Sequence, residues 1–135
     1  MTKEKLSILA LAQRQAHGVG LSHYADLLAR YSELYGEPLL GRTRAVFDRG
    51  DGFVIKVPLD DEGLLDNWSE SRHDDEGLPL AKCTLEADGD CRILVMERVR
   101  LPTAEEAKAL PDWTDWIDCR QVGWTADGRL VAFDL

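Results

Sequence analysis

Apolar positions first recur at helical spacing. Leu6, Leu9, Ala12 and Ala16 form one stripe, which Gly18-Val19-Gly20 interrupts, so a first helix is expected to end there. Tyr24, Leu27, Leu28, Tyr31 and Leu34 form a second stripe, preceded by Ser22 as N-cap and followed by Gly36 and Pro38. This predicts a helix over 22–35 whose aromatic stripe is a packing surface. From Leu39 the period drops to two. Short β-rich runs at 45–48 and 53–57 flank Arg49-Gly50-Asp51-Gly52, runs at 83–86 and 92–96 flank Ala87-Asp88-Gly89-Asp90, and runs at 122–125 and 130–133 flank Ala126-Asp127-Gly128-Arg129. Asp-Gly between alternating runs is a strong hairpin signal, because a tight primed turn needs positive φ at its centre. Centred on those dipeptides, the second hairpin sets Cys83 beside Leu94, and the third sets Gln121 directly opposite Asp134.

Residues 63–73 read as a short helix with Leu64, Leu65 and Trp68 on its apolar face and Glu70 almost opposite. An acidic link at 101–111, bounded by prolines, joins the last two hairpins, and Trp113 and Trp116 are expected to anchor it to the core. The expected fold class is α+β: two N-terminal helices on an antiparallel sheet, in a single domain over 1–135 that divides into a helical segment at 1–38 and a core at 39–135.

A hydrophobic share of 44% and a charged share of 30% are those of a folded globular chain. The net charge of −9 has the wrong sign for gripping a phosphate backbone, which argues against direct nucleic-acid binding. The excess is local. Residues 60–90 hold eleven acids and two bases, and the rest of the chain is neutral. Asp60, Asp61, Glu62, Asp66, Asp74, Asp75 and Glu76 are therefore the candidate contact surface for a basic partner. Cys83, Cys91 and Cys119 are odd in number and form no C-x-x-C pair, which suits a reducing cytoplasm better than a disulfide framework. Lys3 and Lys5 precede an apolar run at 6–12, but Glu4 interrupts the basic part and the run reads as helix rather than leader. No stretch approaches the ~20 apolar residues of a membrane span. His17, His23 and His73 are too scattered for a zinc set.

Lys56 stands within Phe53-Val54-Ile55-Lys56-Val57, on the opposite strand face from Phe53, Ile55 and Val57. With Leu94-Val95-Met96-Glu97 and the run 123–135 in this order, the chain from about Leu39 onward resembles the protein-kinase-like fold, and in particular the short kinase-like proteins common in bacteriophages. The resemblance implies a sheet like a kinase small lobe. It puts residues 40–47 in the nucleotide-covering loop and makes Lys56 the phosphate-binding lysine, Glu70 the helix glutamate that holds it and Met96-Glu97 the hinge. Gln121 then takes the place of the metal-binding asparagine, and Asp134 that of the D-F-G aspartate.

Several parts needed for phosphoryl transfer are missing. The loop has one glycine instead of three, Arg42 and Arg44 occupy space that bare backbone leaves for phosphates, and no H-R-D is present. Asp115 and Asp118 lie at the wrong distance before Gln121 to serve as base. The expected function is that of a non-catalytic kinase-like binding protein without a cofactor, encoded by a phage or mobile element. Its acidic surface would inhibit or regulate a basic host nucleic-acid-binding protein, as an anti-CRISPR-type inhibitor does. The alternative is a small nucleotide-binding protein or phosphotransferase that takes ATP with magnesium through Lys56, Glu70, Glu97, Gln121 and Asp134.

Overall fold

The computed structural model describes residues 20–72, 77–117 and 120–133, so the expected first helix lies outside the described residues. Helix α1, Gly20–Tyr35, begins before Ser22, which is therefore within the helix and not its cap. Its stripe covers as expected through Tyr24, Leu27 and Tyr31, with Leu28 packed at the margin. Leu34 departs from the pattern at 64% exposure, because the packed stripe ends a turn before the helix does. Gly36 then stops the helix at φ 86°, its N–H donating to the Ser32 carbonyl at 2.9 Å. The two buried tyrosines end in carboxylates: Tyr24 donates to Asp61 at 2.8 Å and Tyr31 to Asp88 at 2.6 Å. Burial first, and then the neighbouring carboxylate, pushes both phenols well above the ordinary tyrosine range.

The rest is two antiparallel sheets with short helices between them, a mixed α+β fold. Strands β1 (Leu39–Leu40), β2 (Arg44–Asp48) and β3 (Phe53–Pro58) lead into helix α2 (Asp61–Ser71), followed by β4 (Cys83–Asp88) and β5 (Cys91–Glu97). These strands form one sheet in the order β1-β2-β3-β5-β4. Helix α3 (Ala104–Ala107) and a 3-10 turn (Asp112–Trp116) precede a two-stranded sheet of β6 (Val122–Trp124) and β7 (Leu130–Ala132). Strand alternation divides the large sheet into two chemically different faces. Ala45, Phe47, Ile55, Val57, Ile93 and Val95 join α1 in the main core. Val54 and Met96 face the other way and meet Val131 of β7, with Val46, Val99 and Phe133 packed around them. No helix of the described residues is long and apolar enough to cross a membrane.

Two hairpin registers differ from expectation, each because of where the glycine sits. Cys83 pairs with Met96 rather than Leu94, and Asp88 with Cys91. The turn is thus Gly89-Asp90, with Gly89 at φ 59° in the first central position, as a type II′ turn requires. In the last hairpin Trp124 pairs with Leu130, and Gly128 N–H donates to the Thr125 carbonyl at 3.0 Å. Gly128, at φ 86°, is the left-handed residue after a type I turn, so the loop has three residues instead of two. The Thr125 hydroxyl locks that loop by bonding Asp127 and accepting from Arg129 N–H at 3.1 Å. In this register Gln121 accepts from Phe133 N–H at 3.0 Å, which overturns its expected place opposite Asp134.

Helix α2 approaches the β1–β2 turn so closely that Gly63 is required there. Asp60 caps the helix by accepting from Gly63 N–H at 2.8 Å, and a Cβ on Gly63 would collide with the Thr43 carbonyl. Gly63→Ala should therefore cost ~1–3 kcal/mol of stability in denaturant unfolding. On α1, Leu27→Ala should cost ~2–5 kcal/mol. Leu34→Ala should stay within ~0.5 kcal/mol of wild type, as exposed sites do.

Candidate functional site

Strand β3 is central, so Lys56 has neighbours on both sides, opposite Val46 on β2 and Leu94 on β5. It is 3% exposed, unlike the usual solvated strand lysine. What covers it is α2, whose buried residues are Gly63, Leu64, Asn67 and Glu70. Spacings of four and three put Gly63, Asn67 and Glu70 on one face, so Glu70 points inward and not away from the core. Lys56 Nζ donates to Glu70 Oε1 at 2.7 Å between two buried side chains. Arg44, from β2, pairs with the other oxygen, Glu70 Oε2, and also donates to Asn67 Oδ1 at 3.1 Å. Asn67 in turn donates to the carbonyls of Lys56 and Arg92, at 3.0 Å each. This polar helix face can be buried because its side chains are partnered.

Beside the pair runs a groove of about 420 Å³. Lys56 forms its floor with Val54 and Met96, and Val46, Val99 and Phe133 make the walls. The mouth is polar on one side, where Asp48 accepts from Arg98 at 3.1 Å, and carries Glu37 and the exposed Leu39 and Leu101. The result is an apolar slot with a single buried cation at its base. It offers one buried hydrogen-bond donor, the Lys56 ammonium, among apolar walls.

Other sequence-expected residues are placed elsewhere. Glu97 does not line the groove; its carboxylate accepts from Lys82 N–H at 2.8 Å and pairs with Arg129, tying β5 to the last hairpin. Gln121 lines an adjoining cavity of about 530 Å³ with Pro102, Leu110 and Val122, which shares Leu101 and Phe133 with the groove. Asp134 lies outside the described residues, and among those described no group of three or more His, Cys, Asp or Glu is placed to hold a metal. Of the acidic candidates, Asp60 caps α2, Asp61 accepts from Tyr24 and Asp66 accepts from Thr43 at 2.7 Å. Glu62 is exposed, while Asp74, Asp75 and Glu76 lie outside the described residues. Trp113 packs beside Ile117, Val122 and Ala132, but Trp116 is 81% exposed and anchors nothing.

Arg44 and Asn67 are the site residues that the sequence reading missed. The visible signal was Gly63, Asn67 and Glu70 at helical spacing, of which only Glu70 was placed, almost opposite Leu64, Leu65 and Trp68. No protein-family model, curated protein or solved structure matches the chain.

Glu70→Ala strands a buried lysine and an arginine, and should destabilise the protein by ~3–5 kcal/mol in denaturant unfolding. Cys91 is fully buried, and its thiol is pushed up to about 11, chiefly by burial. It is therefore a neutral thiol below that pH, and mass spectrometry should find it unalkylated by iodoacetamide at pH 8 until the chain is unfolded.

Proposed function

We propose that this chain is a non-catalytic binding protein of the protein-kinase-like class whose groove over Lys56 receives a nucleotide-class ligand. The observation that carries this reading is the buried contact of 2.7 Å between Lys56 Nζ and Glu70 Oε1 at the floor of an apolar groove. Protein kinases use the same pairing of a third-strand lysine with a glutamate of the following helix. The sheet order and the position of α2 between β3 and β4 support the same class. Binding without transfer is favoured because H-R-D is absent from the sequence and Gln121 does not line the groove.

Glu62, Glu86 and Asp90 are exposed, and they favour a second reading in which the acidic segment contacts a basic host nucleic-acid-binding protein. That reading would suit a phage-encoded or mobile-element inhibitor. Reversing these three acids to lysine should remove salt-sensitive capture of such a partner and leave the groove's affinity unchanged.

Titration calorimetry with ADP and with adenosine tests the groove. Saturable binding is expected, weakened about tenfold or more in Lys56→Met by loss of a charged hydrogen bond. ATP hydrolysis should not exceed that of Lys56→Met. Absence of binding to the wild-type chain would remove the nucleotide reading, and turnover lost in the variant would make the protein a phosphotransferase.

A further inference from the structure

A ligand that accepts a hydrogen bond from Lys56 shares the three donors of the ammonium with Glu70. Glu70 is only 9% exposed, and a carboxylate left unpaired at such a site is strongly penalised. Its two oxygens are held by different cations, Oε1 by Lys56 and Oε2 by Arg44. We propose that Arg44 is a positioning residue for the groove's lysine, keeping Glu70 ion-paired and in place while Lys56 serves both Glu70 and a ligand. The purpose of this role rests on the ligand reading above, whereas the pairing itself belongs to the ligand-free protein.

The geometry assigns Arg44 this role and keeps it out of the groove. Arg44 pairs with Pro58 across the strands, one step along the same sheet face from Val46, whose partner is Lys56. From there its guanidinium reaches the oxygen of Glu70 that Lys56 does not use, and it does not line the groove. Its second contact, to Asn67 Oδ1, fastens it to α2, and Asn67 is itself held by two strand carbonyls. None of these bonds depends on the Lys56 ammonium. A guanidinium also stays charged at all working pH and offers several donors in one plane, so one side chain can serve Glu70 and Asn67 together. Lysine at this position would keep the charge and lose the fork.

The test is a double-mutant cycle on stability without ligand, using Arg44→Gln and Lys56→Met singly and together. Each single change leaves Glu70 one cation, and the pair leaves it none among these two. The double variant should therefore raise the unfolding equilibrium constant about tenfold or more beyond the product of the single effects. In a Glu70→Gln background that excess should vanish. If the double variant does not fold, the triple variant with Glu70→Gln should fold again. Single effects that simply multiply, an excess that persists without the Glu70 charge, or a triple variant that stays unfolded would each overturn the proposal.

ADP titration adds the functional arm. Arg44→Gln should weaken binding about tenfold in the wild-type background and have no further effect in Lys56→Met, with Arg44→Lys recovering part of the loss. Equal weakening in both backgrounds would overturn a role through Lys56. A cycle that couples as expected in a protein that binds no ADP would support the pairing role and remove the nucleotide reading.

Discussion

A carboxylate buried against the sheet must be neutralised where it stands, and most of the architecture around the groove follows from how Glu70 meets that requirement. One cation comes from β2 and the other from β3, so Glu70 holds α2 to two strands at once. Asn67, one turn earlier, adds bonds to the backbones of β3 and β5. A helix fastened by an ion network and an amide is fixed in rotation as well as in position, which an apolar stripe alone does less strictly. At the other end of α2, where Asp60 caps the helix and Thr43 donates to Asp66, the helix lies so close to the β1–β2 turn that only a hydrogen fits at Gly63.

The acidity of the chain looks different once its partners are known. Asp60 serves as a cap, Asp61 and Asp88 receive the tyrosines of α1, and Asp66 receives Thr43. Arg30 joins Asp88 at 2.7 Å, so that contact is charged on one side and aromatic on the other. Part of the negative charge in and around α2 and β4 is therefore structural, and Asp61 and Asp88 tie α1 to the rest of the fold. The last hairpin is secured in the same way, through Glu97 and Arg129, and through Arg100 lying over the Trp124 ring.

Alternation along β2, β3 and β5 gives the sheet its two roles. One face is closed by α1 into a continuous apolar core. The other is only partly covered by the small second sheet, and the uncovered part is the groove, with Lys56 as the charged side chain of its floor.

Periodicity was enough to place α1, α2, the three hairpins and the alternation that turns Lys56 away from the main core, because each depends on residues close together in sequence. Lys56 and Glu70 became candidates only through the resemblance that the order of motifs along the chain suggested. Tertiary structure decided the burial of Glu70: whether a polar helix face is solvated or buried depends on whether partners arrive from elsewhere, and Arg44 comes from 26 residues away. It decided the turn centres as well. An Asp-Gly dipeptide permits several loop lengths, and the register is chosen by which pairing satisfies the two sheet faces and the loop's own bonds, as Thr125 does with Arg129. Local pattern sets what each segment can become, and long-range polar satisfaction selects which of those forms is buried, because a charge is stable inside the protein only where its counter-charges meet it.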